Sequence, residues 1–430
     1  MTQIEPPVLP QLTQFRVEPQ ASGLVHLVFD CPDRSMNVFS NKAIHELGAF
    51  AEWLHGSDAR GVVVRSGKAS GFCAGADLTE LGVAYDMIVA APPADRFDIA
   101  FNHFFPLSHA LRRLETAGKP VAAAIAGVAL GGGCELALAC HYRVVTSSPR
   151  AIIGLPECAV GLLPGGGGTQ RMPRLVGVDL GLDVLLKGTN LDGTAAVAAG
   201  LADVVVEPGE DVAAAEAWLL SAAAHARQPW DAPDATPLAH ASYASSLLRE
   251  RTRELARMLG HEPAPLAILD CIEFGLMQPF DGAIRAEMSV FARLIQRPEP
   301  RNMIRTMFLG KQASDKARRS GDVAPQVQAA VDAASGLVRE AAAISPILVS
   351  AGFLRGTDQS APVQPAVAAD YWFRSHSEAA AAMRTLAQPL AGIVASLSDD
   401  DRLQVDFKVC EAGVIPAYLG GVSGLIAALT

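Results

Sequence analysis

The sequence predicts an α/β fold followed by an all-helical C-terminal region, and three observations support this. Apolar runs rich in small or β-branched residues, such as Leu24–Asp30, Gly61–Ser66 and Val121–Ala126, alternate with stretches of helical periodicity. Glycine-rich turns follow several of these runs. From Gln312 to Thr430 the chain is rich in alanine and valine at helical spacing, with almost no strand signal. Because strands separated by helices form βα units, we expect a mostly parallel sheet.

The individual elements are predicted from local patterns in chain order. Residues 1–14 are proline-rich and are expected to form a loose N-terminal arm. Asn41–Leu54 has helical spacing, with Ser40 as its N-cap. Leu81–Thr116 is expected to form one long helical stretch, in which several phenylalanines line either the core or an apolar pocket. Tyr142–Thr146 and Ala202–Glu207 are expected to be further strands of the sheet.

Length and charge limit the classes of function. The chain has 430 residues, and a single core stops growing below that size, so we expect more than one domain. The 35 Lys and Arg residues against 45 Asp and Glu residues give a net charge of −10, which argues against a nucleic-acid binder. We expect a main domain over residues 15–312 and a helical extension of unknown role over residues 313–430.

Cysteine usage and hydropathy indicate a soluble cytoplasmic protein. The seven cysteines are odd in number and scattered, and no pair has CxxC spacing, so neither a disulfide framework nor a zinc ribbon is expected. The N-terminus lacks the basic and apolar regions of a signal peptide. The most apolar run, Val121–Cys140, contains Glu135 and three consecutive glycines, which a membrane span would rarely carry.

Several sites can be excluded because their motifs are incomplete. His45 and Glu46 resemble the start of HExxH, but Ala49 occupies the position of the second zinc ligand. No P-loop, no GxGxxG after a strand and no GxSxG elbow is present. We therefore expect no metal and no redox cofactor. Any chemistry must come from ordinary side chains and backbone amides.

Two glycine-rich turns can supply such amides. Lys119–Glu135 contains a buried strand, the glycines 131–133 and a helix that carries Glu135 in its first turn. Gly71–Leu78 follows the Gly61–Ser66 strand and again leads from a strand into a helix. The first amides of a helix have no partner within it, so they can stabilise a developing negative charge. Two such turns on neighbouring strands can place two N–H donors on one oxygen, as the oxyanion of a thioester enolate requires.

Two glutamates accompany these turns. Glu135 follows Gly132 by three residues, and Glu157 lies in Gly-Leu-Pro-Glu where a strand ends. Both lie in apolar surroundings, where desolvation raises the pKa of a carboxyl group toward a value useful for proton transfer. The alternative is that each one only caps a helix N-terminus, where an acid is favourable in any case. The residues alone leave both interpretations open.

These segments resemble those of a known family. Lys119–Glu135, Gly154–Arg171 and Phe72–Leu78 are similar to the signature segments of the crotonase (enoyl-CoA hydratase/isomerase) superfamily. The spacing of the two glutamates is similar to that in the hydratase part of multifunctional fatty-acid β-oxidation proteins. The resemblance extends from residue 15 to residue 312 and is strongest over residues 61–177. It implies a crotonase-like ββα spiral core, to which the helical C-terminal region is added.

The resemblance also implies catalytic roles. The backbone amides of Ala76 and Gly132 would form the oxyanion hole around the thioester carbonyl. Glu135 and Glu157 would hold and activate the water between them. Glu157 would exchange the proton at the α-carbon, while Glu135 would assist attack at the β-carbon.

The remaining implied residues surround this centre. The amide of Gly165 would approach the catalytic water. The turn around Ala74 and Asp77 would hold the CoA arm, and Lys311 would lie near its phosphates. By analogy with the superfamily, the protein would form a homo-oligomer, either a trimer or a dimer of trimers.

Three functions remain open. The first is an enoyl-CoA hydratase, favoured because both acids are glutamate. The second is an enoyl-CoA isomerase or another enolate-forming acyl-CoA enzyme. The third is a non-catalytic acyl-CoA-binding subunit, which would have no reason to bury two carboxylates. In each case the partner is an acyl-CoA thioester, with no nucleic acid and no membrane.

Overall fold

Strands and helices alternate in the N-terminal half of the computed structural model, which describes residues 11–258, 262–322, 324–344 and 378–429. The strands are β1 (Phe15–Pro19), β2 (Leu24–Phe29), β3 (Gly61–Ser66), β4 (Gly71–Cys73), β5 (Val121–Ile125), β6 (Val128–Leu130), β7 (Tyr142–Thr146), β8 (Ile152–Gly154), β9 (Leu191–Asp192) and β10 (Val204–Val206). The helices of this half are α1 (Asn41–Gly56), α2 (Leu78–Ala90), α3 (Arg96–Glu115), α4 (Gly132–Ala139), α5 (Gly168–Val176), α6 (Val178–Lys187), α7 (Gly193–Ala198) and α8 (Asp211–Leu220).

Within the described residues these strands form two sheets. The six-stranded sheet has the order β1-β2-β3-β5-β7-β10, and the four-stranded sheet has the order β4-β6-β8-β9. All pairs are parallel except β1 with β2 and β8 with β9. Three times along the chain, two consecutive strands (β3 and β4, β5 and β6, β7 and β8) precede a helix. The first strand of each two belongs to the six-stranded sheet and the second to the four-stranded sheet. The predicted α/β class and the ββα spiral are confirmed.

The central strands are apolar along their whole length because both faces of the larger sheet are covered. Every residue of β2 and β5 is buried, and helix α8 packs against β3, β5 and β7. Ala215 and Leu219 on α8 join Val63, Ala122 and Val144 of these strands in one apolar cluster. This explains why the strands lack the alternating pattern of a half-exposed sheet.

The prediction of one helix over Leu81–Thr116 is wrong. The structure has α2 and α3 in this region, and residues 91–95 between them are not helical. Pro92 and Pro93 explain the break, since proline has no backbone N–H to donate to the preceding turn and its ring clashes there. Pro106 nevertheless lies inside α3.

The phenylalanines of α3 are less buried than residues that face a hydrophobic core. Phe97, Phe101 and Phe105 are half-buried, and their rings follow one another along the helix at centroid distances of 6.2 and 5.1 Å. Leu111 and Leu114, nearer the end of the helix, are completely buried. The core interpretation therefore holds for the leucines and not for these phenylalanines.

The described chain divides into two units. The first comprises the described residues up to Cys158, Leu163–Leu247 and Ala267–Gln296, and the second comprises Ala159–Leu162, Leu248–Leu266 and the described residues from Arg297 onward. The boundary near residue 297 differs from the expected one at residue 312, and the domain limits stay a prediction.

The described part of the chain after α8 is mainly helical, and the helices from α12 onward belong to the second unit. The helices that follow α8 in the chain are α9 (Ala244–Met258), α10 (Pro263–Gly275), α11 (Phe280–Leu294), α12 (Pro298–Met303), a π-helix (Ile304–Gly310), α13 (Lys311–Ser320), α14 (Pro325–Ile344), α15 (Glu378–Val394), α16 (Asp399–Glu411) and α17 (Gly421–Leu429). The core of the second unit contains completely buried residues from four of these helices, among them Val327, Met383, Val405 and Val422. The predicted helical C-terminal region is confirmed.

Only the end of the expected N-terminal arm is described. Residues 1–10 lie outside the described part of the chain. The backbone amides of Thr13 and Gln14 both donate to Glu46 Oε2, at 2.9 and 2.7 Å. Glu46 thus binds the end of the arm. Among the described residues, no helix combines the length and the hydropathy that a membrane span requires.

A buried asparagine connects the strands that lead to the site. Asn37 is completely buried, and its Nδ2 donates to the carbonyl oxygens of Phe29 (2.8 Å) and Phe72 (3.0 Å) and to Ser66 Oγ. Its Oδ1 accepts the amide of Cys31 at 3.0 Å. One side chain therefore satisfies polar groups of three separate segments.

We predict that Asn37→Ala lowers the free energy of unfolding by about 3 kcal/mol, because it leaves buried carbonyl and amide groups without partners. Urea denaturation followed by circular dichroism measures the loss. Asn102→Ala is the matched control, since Asn102 is exposed on α3. A loss no larger than that of the control contradicts the role of Asn37.

Candidate active site

Three turns meet at one edge of the four-stranded sheet. Strands β4, β6 and β8 are parallel neighbours, so their carboxyl ends lie together. The turn after β4 holds Ala76, the turn after β6 holds Gly131 and Gly132, and the segment after β8 holds Glu157. The carboxyl ends of parallel strands are a common place for ligands in α/β folds.

The turn after β6 depends on a glycine. Gly131 has φ +55° and ψ −127°, a conformation that residues with a side chain rarely adopt. It reverses the chain directly before α4, so that Gly132 becomes the first residue of that helix. The amide of Gly132 has no acceptor within the helix and points out of its N-terminus.

The second amide comes from the turn after β4. Phe39 pairs with Ala76 in a short parallel bridge, in which Phe39 donates to Gly75 O (2.8 Å) and Asp77 donates to Phe39 O (3.0 Å). This pairing leaves the N–H of Ala76 outside the bridge, and Ala76 is exposed. In the part of the chain that the structure describes, no acceptor is found for this amide.

The two turns are in contact. A Cβ atom added to Gly75 would lie 3.5 Å from the amide nitrogen of Gly132. A Cβ atom added to Gly133 would lie 2.3 Å from the carbonyl oxygen of Cys73, which no side chain could accommodate. The glycines thus allow β4 and α4 to approach closely, and the structure brings the predicted donors Ala76 and Gly132 to the same place.

Glu135 is buried in the first turn of α4, with 2% of its surface exposed. Its Oε1 accepts the backbone amides of Gly166 (2.7 Å) and Gly168 (2.8 Å). Burial raises the pKa of this carboxyl, while the two amides and the charge of Arg171 oppose the rise. Glu135 therefore has partners that favour its ionised form.

Glu157 lies in a different environment. A Cβ atom added to Gly131 would be 3.0 Å from Glu157 Oε1, which places this carboxylate beside the turn of Gly132. Its Oε2 is buried and has no hydrogen-bond partner among the described residues. Burial and then the charge of Glu135 raise the pKa of Glu157 well above its ordinary value. The two predicted acids are therefore near enough to interact, but their surroundings differ.

A third buried carboxylate, which the sequence did not single out, belongs to α11. Glu287 is completely buried, and its Oε1 accepts the amide of Gly167 at 2.7 Å. Its Oε2 accepts the amide of Thr169 at 3.0 Å and also the hydroxyl of Thr169. Burial, and then the charge of Glu135, raises the pKa of Glu287 to about 8.

A buried ion pair lies under the same turn. Arg171 and Glu115 form two hydrogen bonds of 3.0 and 2.9 Å, with both side chains completely buried. A third nitrogen of Arg171 donates to the carbonyl oxygen of Gly166 at 2.8 Å. Arg112 also pairs with Glu115 at 3.0 Å. Arg171 thus holds the backbone next to Glu135, and its hydrogen bonds go to Glu115 and Gly166 rather than to Glu287.

The residues expected to hold CoA are placed as follows. Ala74 is exposed and donates its amide to Asn37 O at 2.9 Å. The carboxylate of Asp77 is buried, where it caps α2 and pairs with Arg34. Lys311 is exposed at the start of α13 and belongs to the second unit. These three roles stay predictions.

Gly165 is placed in the segment that precedes α5. It is partly exposed, and a Cβ atom added to it would lie 3.3 Å from Phe291 Cδ2. The role of its amide near a catalytic water stays a prediction. Among the described residues, no group of His, Cys, Asp and Glu side chains has an arrangement that could hold a metal ion.

The sequence does contain a signal for Glu287. On α11 the residues Ile284, Glu287, Met288 and Phe291 follow at helical spacing and are all buried. A charged residue within an apolar stripe is rarely placed there without a partner. The Glu115–Arg171 pair gave no comparable signal, since 55 positions separate the two residues.

Comparison with known proteins gives a family. A sequence model of the enoyl-CoA hydratase/isomerase family matches residues 20–235, half of the chain. The fatty acid oxidation complex subunit alpha of Shewanella amazonensis is 34% identical over 329 residues, which cover 75% of this chain and 45% of that protein. The same subunit of Shewanella halifaxensis is 33% identical over 315 residues, covering 73% and 43%. The chain thus spans about half the length of the curated relatives it matches.

Solved structures are also similar. DspI of Pseudomonas aeruginosa is 31% identical, with a TM-score of 0.41, and the match covers 49% of this chain and 74% of that chain. An enoyl-CoA hydratase from Geobacillus kaustophilus is 22% identical, with a TM-score of 0.41, and the match covers 69% of this chain and 94% of that chain.

The raised pKa of Glu287 predicts a pH-dependent stability. A carboxyl group whose pKa is higher in the folded state than in the unfolded chain binds its proton more tightly in the folded state. Its stabilising contribution is complete at pH values below its ordinary pKa of 4.5 and is lost as the pH rises through the folded-state pKa of about 8. We expect the free energy of unfolding of the wild type to fall over this interval and that of Glu287→Gln to fall less. Urea denaturation at a series of pH values measures both.

Asp98→Asn serves as the control, because Asp98 is an exposed carboxylate on α3. It should keep the pH dependence of the wild type. If Glu287→Gln folds and also keeps that dependence, the buried carboxyl is not the group responsible.

Proposed function

The chain belongs to the enoyl-CoA hydratase/isomerase family, and on that premise we propose that it adds water across a trans-2-enoyl-CoA to give a 3-hydroxyacyl-CoA. The observation that carries the proposal is the position of Glu157. Its buried Oε2 has no partner among the described residues, while its Oε1 lies beside the turn of Gly132. A buried carboxylate oxygen without a partner needs an explanation, and a substrate or a water would supply one.

The two turns would stabilise the reacting thioester. Addition of water at the β-carbon moves electrons onto the thioester oxygen and forms an enolate. The amides of Ala76 and Gly132 would donate to that oxygen, and their positions are fixed before the substrate binds. Because these donors come from backbone held by strands β4 and β6, no reorganisation is required when the charge develops.

The surroundings of the two acids suggest their roles. Glu135 has two amide donors, which favour its ionised form, so it would take a proton from the water as the oxygen bonds to the β-carbon. Glu157, whose pKa is raised further, would remain protonated and give its proton to the α-carbon. The proton gained by Glu135 must then return to Glu157 before the next turnover. One acid thus acts as the base and the other as the acid.

The same chemistry defines the partners that we propose. The substrate is an acyl-CoA thioester, and the reaction needs neither a metal nor a redox cofactor, since dipoles stabilise the enolate and carboxylates move the protons. We further propose a cytoplasmic location and a homo-oligomer, a trimer or a dimer of trimers. All seven cysteines lie in the described residues without a disulfide bond, which supports the reducing compartment.

The role of Glu157 is tested by Glu157→Gln, which keeps the shape and removes the transferable proton. We expect hydration of crotonyl-CoA, followed by its ultraviolet absorbance, to be abolished while binding of the CoA ester measured by calorimetry is retained. Glu210→Gln is the control, since Glu210 is exposed at the start of α8. Turnover by Glu157→Gln at the rate of the wild type would refute the role.

The oxyanion donor is tested by a pair of variants at Gly132. Proline is tolerated at the first position of a helix, but it has no N–H. Gly132→Pro should lower kcat/KM about 10²–10³-fold relative to Gly132→Ala, as expected for the loss of one such donor. Gly132→Ala is the matched control, because it adds a Cβ atom 3.0 Å from Phe39 Cδ2 and keeps the amide. Equal kcat/KM in the two variants would exclude the Gly132 amide as a donor.

A further inference from the structure

The proposed reaction uses Glu135 and Glu157, and it leaves the completely buried Glu287 of the first unit without a role. Glu287 accepts three hydrogen bonds, two from backbone amides and one from the Thr169 hydroxyl. In the described part of the chain, no Lys, Arg or His forms an ion pair with it. A completely buried carboxylate without a paired cation is costly, so its position requires an explanation.

Glu287 binds the turn that leads into α5 and the first residues of that helix. The four consecutive amides of residues 166–169 are bound alternately by two acids: those of Gly166 and Gly168 by Glu135, and those of Gly167 and Thr169 by Glu287. The turn is therefore held between two carboxylates that come from different helices. A displacement of either carboxylate must move the amides bound by the other.

The turn itself cannot adjust easily. Gly167 has φ +94°, and a Cβ atom added to Gly166 would lie 2.6 Å from Glu135 Oε2. The carbonyl oxygen of Gly166 is bound by Arg171 at 2.8 Å. Because the backbone is in contact with Glu135 on one side and held by Arg171 and Glu287 on the other, the orientation of Glu135 depends on Glu287.

Titratable groups from several elements interact with Glu287. They are Glu135 on α4, Arg171 and Arg174 on α5, Cys271 on α10 and Glu157 after β8. Arg171 is in turn bound to Glu115 on α3. The charge of Glu287 is one cause of the raised pKa of Glu157. Glu287 is thus linked to both proposed catalytic acids, to one through the turn and to the other through space.

We propose that Glu287 is a positioning residue for the hydration reaction: by binding the amides of Gly167 and Thr169, it fixes the turn whose other two amides orient Glu135. The inference rests on the proposed function, since it assigns Glu287 to that reaction. In the proposed hydration reaction, Glu287 contacts no reacting atom. It acts through the geometry of Glu135 and through the charge that Glu157 experiences.

Glu287→Gln tests the proposal. A glutamine has nearly the same shape, but its NH₂ group would face the donating N–H and O–H of Thr169 or the N–H of Gly167, so one hydrogen bond must be lost. We expect kcat for crotonyl-CoA to fall about tenfold or more while KM changes less than about threefold, because a small displacement of a catalytic group mainly affects the transition state.

The pH dependence of kcat distinguishes a positioning role of Glu287 from a role in stability alone, which would leave that dependence unchanged. At high pH, kcat falls when Glu157 loses its proton. Removing the neighbouring charge of Glu287 lowers the pKa of Glu157, so the alkaline limb of the kcat profile should move to lower pH. We expect this shift in Glu287→Gln relative to the wild type.

A second pair of variants covers the case in which Glu287→Gln does not fold. Thr169→Val removes the hydroxyl donor and keeps the amide, whereas Thr169→Ser keeps both. Thr169→Val should lower kcat about threefold or more relative to Thr169→Ser.

Asp406→Asn in the second unit is a control for buried carboxylates, since Asp406 is completely buried and accepts the amide of Ser423 at 2.8 Å. It should lower stability and leave the pH profile of kcat unchanged.

The outcomes separate this proposal from the proposed function. If the wild type does not hydrate crotonyl-CoA, both are wrong. If the wild type is active, and a folded Glu287→Gln or Thr169→Val keeps its kcat and its alkaline limb, only the positioning role is overturned. A decrease in kcat with an unchanged KM and a shifted limb supports it.

Discussion

The site depends on one constraint: four consecutive backbone amides at the start of α5, those of residues 166–169, must be satisfied by acids that are themselves buried. Water cannot reach these amides, and an unpaired buried amide costs about 1–3 kcal/mol. Glu135 and Glu287 bind them alternately, so the same hydrogen bonds satisfy the backbone and orient a proposed catalytic group. Stability and chemistry therefore rely on the same contacts.

The same constraint separates the two proposed catalytic acids. Desolvation of the carboxyl group raises the pKa of each glutamate. Glu135 has two amide donors from the turn and a nearby arginine to oppose this effect, whereas Glu157 has an oxygen without a partner and a negative neighbour. Two residues of one type thus have different surroundings, from which we propose opposite roles, as for carboxylates in other active sites.

The sequence predicted the fold well where the signal was local. Continuous apolar strands, glycine turns and the helical C-terminal region follow from patterns within short windows. The error at Leu81–Thr116 came from extending helical spacing across Pro92 and Pro93, although a proline pair predicts a break by itself. The sequence left open whether the phenylalanines of α3 line the core or a pocket, because spacing does not show what lies opposite a helix.

What the sequence determined by itself was the chemistry available: two glutamates, two glycine turns at the ends of strands, and the family to which these segments belong. The arrangement was decided by the tertiary structure. Glu287 reaches the turn from more than a hundred positions further along the chain, and Arg171 meets Glu115 across 55 intervening residues. Such contacts leave no periodic pattern in the sequence, because the alignment of helices in space, and not the spacing of residues along the chain, brings the partners together.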